Sequence, residues 1–533
     1  MLLVEILLLL SLIIFSCVLL SRISSRIGVP SLLAFILLGM FFGADGPLAI
    51  NFDNFELVRD VCTFALVFIM FYGGFSTNWR QARPVAVKAF LLSSLGVVLT
   101  AALVGLFCHF VLGLELVASL LLGSVISSTD AASVFFVLRS RRLHLRDNTA
   151  SLLEVESGSN DPCAYMLTAA CIAFMQGGAS AGGIARMLFA QIVYGLILGG
   201  LIALSVRWLM QRMKINVDGF DAILMVGVAL FAYAAPEAVG GNGYLSAYVV
   251  GLILGNTGSY GKKHLFGFFD GFTGLMQMGV FFLLGLLSFP SALVHWALPG
   301  LGVALFLTFV ARPLAVALLL TPLRSSLAQQ MVVSWAGLRG AASIVFAIMA
   351  LMAANIEQGL FDVVFVIVLF SILLQGSLLP WVAGKLDMID AGGDVMKTFT
   401  DYSEEEPVQF IQFKIPDGHP WSGQLLREVR LPPGTLVVLL KRDGKNIIPN
   451  GETPLLAGDS VILSAASPTT VAGIHLSEVR LDNSSAWCGK TLAELPREKN
   501  SLIIMVRRSK RILIPNGQTR LAAGDVLVLT RLE

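Results

Sequence analysis

Two short polar runs stand out in an otherwise apolar chain: Ser127-Ser-Thr-Asp130 and, 24 residues on, Glu154-Val-Glu-Ser-Gly-Ser-Asn-Asp161. They put Asp130, Glu154, Glu156, Asn160 and Asp161 inside segments hydrophobic enough to lie in a bilayer. A charge at that depth is costly, so it usually faces a water-filled cavity and carries function. Asp161 is the group around which chemistry would be organised. A carboxylate withdrawn from water needs either a proton or a cation, because the bare charge is too unfavourable there. Alternate binding of the two is what this residue could carry. Glu154 and Asp161 are seven apart and Glu156 and Asn160 four, so each pair shares a helical face. Pro162 removes one backbone donor beside the site. Arg312, in Phe309-Val-Ala-Arg-Pro313, and Arg339, in Gly337-Leu-Arg-Gly-Ala-Ala-Ser343, lie too deep in apolar runs to snorkel. Each needs a counter-charge, and pairing with Glu154 or Glu156 is expected. Structural pairing is the ordinary reading of at least one of these glutamates.

These residues need membrane helices to hold them. A span takes roughly 20 mostly apolar residues. Runs of that kind fall at 2–20, 28–43, 58–76, 86–113, 115–137, 149–176, 184–209, 219–235, 241–257, 265–289, 293–321, 330–355 and 358–383, about thirteen in all. Loops with Arg22/Arg26, Arg80/Arg83, Arg139/Arg141/Arg142/Arg146, Arg207/Arg212/Lys214, Lys262/Lys263 and Arg324 alternate with loops poor in Lys and Arg; Arg59 and Arg186 are the exceptions. The positive-inside rule then places the N-terminus outside and everything after residue 384 in the cytosol. The hydroxyls and carboxylate of Ser127–Ser133 fit a broken helix whose freed carbonyls line a cavity. A continuous helix with Asp130 as a structural charge is the alternative. Gly337, Gly340 and Ser343 make a second span breakable. An inverted repeat of spans 1–6 and 8–13 would bring Thr129 and Arg339 into correspondence.

Composition sets the class. The 533 residues are 56% hydrophobic and 14% charged, with a mean hydropathy of +0.80. That is a polytopic membrane protein, against about 25% charged for a soluble one. The first run, Leu2–Leu20, lacks a basic n-region and a cleavage site and reads as a span. The net charge of +2 and the absence of a basic, aromatic-laced patch argue against nucleic acid. Cys17, Cys62, Cys108, Cys163, Cys171 and Cys488 show no metal-site spacing, and no cofactor is expected. His109, His144, His264 and His295 fall near span ends or in loops. Asp270 is open between a funnel role and simple solvation, and Gly240-Gly-Asn-Gly243 reads as a tight loop without a phosphate fingerprint.

The composition changes after Trp381. A linker (386–404) leads to a tail with an ungapped repeat: Trp421-Ser-Gly and Trp487-Cys-Gly, Ile448-Pro-Asn-Gly451 and Ile514-Pro-Asn-Gly517, Gly458-Asp459 and Gly524-Asp525, each offset by 66 residues. Thr435–Leu440 and Ser501–Val506 read as buried strands, Lys441–Lys445 and Arg507–Arg511 as hairpin turns, and Val461–Leu463 and Val526–Leu529 as closing strands. Two small α+β modules result, 405–470 and 471–533, and repetition of this kind points to a regulatory tail.

Ser-Thr-Asp on one span, Glu-Ser-Gly-Ser-Asn-Asp on the next, and the later Ala-Arg-Pro and Gly-Leu-Arg-Gly-Ala-Ala-Ser together resemble the NhaP branch of the cation:proton antiporter-1 family, over residues 1–385. The tail resembles two TrkA-C (RCK-C) modules without a nucleotide-binding RCK-N domain, and the whole is similar to CvrA-type potassium/proton antiporters. The resemblance implies an all-α membrane domain with two broken crossing helices, followed by the cytosolic α+β tail. It implies a homodimer in the bacterial cytoplasmic membrane in which a core moves against a dimerisation domain. Asp161 resembles the ion- and proton-binding carboxylate. A monovalent cation would sit on Asp161, the Thr129 carbonyl and Ser157, with Glu156 as ligand or support and Asn160 and Asp130 as stabilisers. The Asn-Asp pair implies one-for-one exchange, and Glu154, Arg312 and Arg339 would be structural or gating partners. The exchanged ion is read as K⁺ by analogy of the tail, with Na⁺ as the alternative. Cyclic di-AMP is the nucleotide ligand the modules suggest. A channel would need a filter of repeated carbonyl-rich motifs, and a sensor or enzyme a catalytic grouping; the sequence carries neither.

Overall fold

A computed structural model describes residues 3–532 except 28–29, 53, 141–142, 144, 178–179, 213–218, 258–261, 354–358, 390–407, 417, 433–434, 443–444, 467–473, 482–484, 486, 495–500, 509–510, 514 and 516. Arg141, Arg142, His144, Lys214, most of the linker and the junction between the two tail modules therefore lie outside the described residues. The chain divides into two compact units, Met1–Ser403 and Glu404–Glu533.

The first unit is helical. It opens with α1 (Leu3–Ile27), α2 (Ser31–Phe42) and α3 (Phe55–Ser76). The next segment is compound: α4 (Trp79–Ala82), a 3₁₀ turn, α5 (Ala86–Leu91), a π-helical turn at Leu92–Gly96, and α6 (Val97–Leu112). α7 (Leu116–Val125) and α8 (Ala131–Ser140) are the halves of a broken helix, followed by α9 (Thr149–Met175) and α10 (Ala181–Arg212). The second half holds α11 (Phe220–Glu237), α12 (Gly243–Gly255) and α13 (Lys262–Leu287). α14 (Pro290–Phe306) passes through a π-helical turn at Leu307–Ala311 into α15 (Arg312–Leu320). α16 (Leu327–Trp335) and α17 (Ala341–Ala353) form a second broken helix, and α18 (Gly359–Phe370) joins α19 (Ser377–Lys385) through a third π-helical turn. Described helix lies within each of the thirteen runs named from the sequence, with 115–137 and 330–355 interrupted at Ile126–Asp130 and Ala336–Gly340. Among the described residues, seven helical stretches are long and apolar enough to cross a membrane by length and composition alone.

The two breaks have a physical cause. Ile126–Asp130 is rich in hydroxyls that compete for backbone bonds, and Ala336–Gly340 carries two glycines that favour helix least among ordinary residues. The freed groups meet each other: Asp130 N donates to Leu338 O at 2.8 Å. The flanking helices pack in matching pairs. A side chain on Gly39 or Gly285 would strike the backbone of the opposite helix where α2 meets α13, and Gly74 and Gly251 do the same where α3 meets α12. Small residues of this kind let membrane helices approach closely. The pairings α2–α13 and α12–α3, and the π-helical turns before α6 and before α15, are what a two-fold relation between the halves produces.

The second unit holds two antiparallel four-stranded sheets. β1 (Val408–Lys414), β2 (Thr435–Arg442), β3 (Lys445–Ile447) and β4 (Ser460–Ala466) are ordered β1-β4-β2-β3. β5 (Ile474–Arg480), β6 (Ser501–Arg508), β7 (Arg511–Leu513) and β8 (Val526–Leu532) repeat that order as β5-β8-β6-β7. Even the strand irregularity recurs, at Val437/Leu439 and at Ile503/Met505. Leu440, Leu455 and Val461 fill one core, and Val506, Leu521 and Leu527 take the equivalent places in the other. Each sheet is locked by a fork: Arg442 donates to Asp459 through Nε (2.8 Å) and Nη2 (2.7 Å), and Arg508 to Asp525 through the same atoms at 2.8 Å.

Candidate functional site

The first break and α9 assemble the site together. One helical turn of α9 presents Ser157, Asn160 and Asp161 to the unwound segment. The Ser128 hydroxyl donates to Asp161 Oδ1. Ser157 Oγ donates to the Thr129 carbonyl at 2.7 Å, and Asn160 Nδ2 to Thr129 Oγ1 at 2.5 Å. All of these side chains are buried, Asp161 retaining 6% exposure and Asn160 none. Thr129, Ser157, Asn160 and Asp161, named from sequence, are thus brought into one cluster. Ser128 was not singled out. It lies in the quoted polar run, but an unwound segment has no periodicity to tell which hydroxyl faces the carboxylate.

Two arginines lie beside this cluster. Arg312 forms a salt bridge with Glu156, both fully withdrawn from solvent at 3% and 1% side-chain exposure. That settles which pairing the sequence left open for Arg312. Arg339 takes another role: its Nη1 donates to the Ser127 and Ser128 carbonyls at 2.7 and 2.5 Å, and its backbone N donates to Ser371 Oγ at 3.0 Å. It caps the negative end of half-helix α7, where a cation is favoured. Asp130 does the converse for α8. Its carboxylate accepts from Ser133 Oγ at 2.5 Å at the positive start of that helix. Asp130 also packs against Gly340, directly before α17, where an added methyl would come within 2.5 Å of Asp130 Cγ.

A cavity of about 880 Å³ leads to the cluster, walled by α1, α2, α3, α8, α9 and α13. Asp130, Glu154, Ser157 and Asp161 line it, and so does Asp270, which accepts from Tyr72 Oη at 3.2 Å. Asp270, left open between funnel and solvent in the sequence, is therefore a cavity residue, and Tyr72 is one the sequence did not mark. The wall residues Ser21, Ser76, Glu154 and Asp270 sit in the parts of their helices nearest the Lys/Arg-rich loops. His109 makes an ordinary helix-end contact, its Nδ1 lying 2.7 Å from Leu114 O.

Comparison with known proteins extends this picture. Residues 11–385 match the family described as "Sodium/hydrogen exchanger, transmembrane", and residues 410–469 and 476–530 each match the TrkA-C domain. A protein of Shewanella sp. strain MR-4 named K(+)/H(+) antiporter NhaP2 is 35% identical over 450 residues, 83% of this chain and 78% of its own length. One of Alkalimonas amylolytica named K(+)/H(+) antiporter NhaP is 32% identical over 536 residues, 95% of this chain and 92% of its own. The solved structure of the sodium proton antiporter MjNhaP1 from Methanocaldococcus jannaschii shares the fold, with a TM-score of 0.64 at 22% identity over 72% of this chain and 99% of that one. The chain belongs to the sodium/hydrogen exchanger family and carries two TrkA-C domains in tandem.

Proposed function

We propose that the chain is a secondary antiporter that exchanges a monovalent cation, K⁺ in preference to Na⁺, for H⁺ across the bacterial cytoplasmic membrane. One observation carries the proposal: Asp161 is a buried carboxylate, held by Ser128 between an unwound helix and α9, at the foot of a cavity. The other charges at the crossing are answered in place. Glu156 has Arg312, Arg339 has the Ser127 and Ser128 carbonyls, and Asp130 lies at a helix start. Asp161 is then neutralised by one proton or one cation, and Asn160 beside it adds no second charge. One-for-one exchange is the stoichiometry that the Asn160-Asp161 pair supports through its resemblance to the family pattern. The Thr129 carbonyl and Ser157 hydroxyl, bonded to each other in the same cluster, are the oxygen donors assigned to complete a shell for a cation at Asp161. The names of the relatives support K⁺ as the ion.

Alternating access is of the elevator type in this reading. The cavity faces the cytosol, where the basic loops lie, and the segments that carry Asp161 move as a body to expose it on the other side. The protein works as a homodimer, and the TrkA-C tail sets its activity on binding a cytosolic ligand, a cyclic dinucleotide such as cyclic di-AMP. The test is dissipation of ΔpH in everted vesicles on separate addition of K⁺ and Na⁺, with Asp161→Asn beside the native protein. Native vesicles are expected to respond more strongly to K⁺, and Asp161→Asn vesicles to neither. A response retained in Asp161→Asn would remove Asp161 from the exchange, and a stronger response to Na⁺ would reverse the selectivity.

A further inference from the structure

The Gly240–Gly243 loop does more than turn the chain. It presents Asn242, fully buried at 0% exposure, to the helix that carries Asp161. Asn242 Nδ2 donates to the Pro162 carbonyl at 3.1 Å, one residue past Asp161. Its Oδ1 accepts from Leu245 N at 2.9 Å and so caps α12, while its backbone N donates to Gln191 O of α10 at 3.1 Å. The side chain therefore ties α9 to α12, and the backbone of the same residue adds α10.

Further along α12, two tyrosines also touch α9. The rings of Tyr244 and Tyr165 lie 5.1 Å apart, and an added Cβ on Gly158 would come within 2.5 Å of Tyr248 Cε2. α12 thus meets α9 on both sides of Asp161. Gly158 belongs to the cavity wall, whereas Pro162 and Tyr165 do not and lie beyond Asp161. The contacts differ in kind. Aromatic packing tolerates sliding, because ring pairs are attractive over a range of offsets. The amide–carbonyl bond does not, since it weakens steeply with distance and angle.

We infer that Asn242 is a positioning residue, a latch that registers α9 against α12 while Asp161 faces the cavity. Release of the Pro162 carbonyl accompanies the turn of Asp161 to the other side. This inference rests on the exchange reading. A net hydrogen bond present in one state and absent in the other biases their equilibrium by roughly threefold to tenfold.

The test uses the full chain with Asn242→Ser, which keeps a helix cap but is too short to reach Pro162. Asn242→Thr, another capping residue too short to reach Pro162, is the second variant should serine weaken the start of α12. Two quantities are read: the cation concentration giving half-maximal ΔpH dissipation, and peptide-resolved modification of Cys163 by a membrane-impermeant maleimide applied to each face in turn. Both variants are expected to need roughly threefold to tenfold more cation on the cavity side, with the maximal rate largely kept. Cys163 is expected to react several-fold faster from the face opposite the cavity. An unchanged Cys163 rate in both variants overturns the latch whatever transport does. A faster Cys163 rate with unchanged half-saturation also overturns it, by assigning Asn242 to local packing. Should native vesicles show no exchange, the exchange reading fails on its own and the Cys163 rates still decide whether Asn242 holds α9.

Discussion

Glu156 and Arg312 lie 156 residues apart in sequence and meet in a salt bridge with almost no solvent exposure. Such a pair is costly to build, and it is more costly to leave half-built, because a lone buried charge has nowhere to go. Glu156→Gln strands the guanidinium and is expected to lower stability by about 3–5 kcal/mol. Glu156→Met combined with Arg312→Met removes both charges and should recover most of that loss. Apparent melting temperatures of the single and double variants in detergent check this, and a double variant no more stable than the single would mean the two do not act as a unit. The sequence carried the residue types here but not the pairing. Burial of Arg312 and Arg339 in apolar runs demanded partners, yet helical spacing relates residues only within one helix. Nothing local says that Arg312 goes to Glu156 while Arg339 turns to the carbonyls of Ser127 and Ser128. The cluster of Thr129, Ser157, Asn160 and Asp161 was legible because three of its members share one turn of α9.

At the scale of elements, both helix breaks could be read in advance, from a run of hydroxyls in one case and from two glycines in the other. Less legible was how tightly they interlock, since that depends on residues from opposite halves of the chain. Gly340 is the sharpest instance. Its missing side chain leaves room for the Asp130 carboxylate, and an added methyl would come within 2.5 Å of that carboxyl carbon. Asp130 is fixed at its own backbone by Leu338 O, so it has little freedom to retreat. Gly340→Ala is therefore expected to displace Asp130 from the start of α8 and to disturb the unwound segment next to it. Exchange should fall at least tenfold, while overpacking by one methyl costs only about 1–3 kcal/mol of stability. Gly302→Ala in α14 is the control, because nothing lies within 4 Å of the added carbon. Ion-dependent ΔpH dissipation and apparent melting temperature, measured on both variants, separate a local effect on the crossing from general damage. If Gly340→Ala exchanged at the native rate, the close fit of the two breaks would not matter for transport.

For the molecule as a whole, the tail is where sequence and structure agree most closely, because an ungapped repeat transmits register as well as motif. Even so, the forks that lock the two sheets were not foreseen. Gly458-Asp459 and Gly524-Asp525 match as one pair of the repeat, but each arginine lies 17 residues before its aspartate, a separation no local rule connects. The arginine hydrogen bonds are the main reason that the Asp459 and Asp525 carboxyls are held below the ordinary value of 3.8, helped by the backbone N–H groups of Leu456 and Ala522. A carboxyl lowered in the folded state stabilises the fold above its unfolded value and loses that contribution as pH falls through the folded one. Each fork should thus be complete at neutral pH and fail only in acid. Asp459→Asn removes the charge at every pH and is expected to cost module one about 1.5–3 kcal/mol, the usual worth of hydrogen bonds to a charged group. Hydrogen exchange of the full chain reads this strand by strand. In the variant, amides of β2 and β4 should exchange faster at neutral pH and lose most of the added acid sensitivity that native β2 and β4 show. Those of β6 and β8 should keep native protection, since their own fork at Arg508 and Asp525 is untouched. Equal loss in all four strands would mean that the modules unfold together, and a ligand bound to either would then stabilise both. Loss confined to β2 and β4 would mean that each module can order separately.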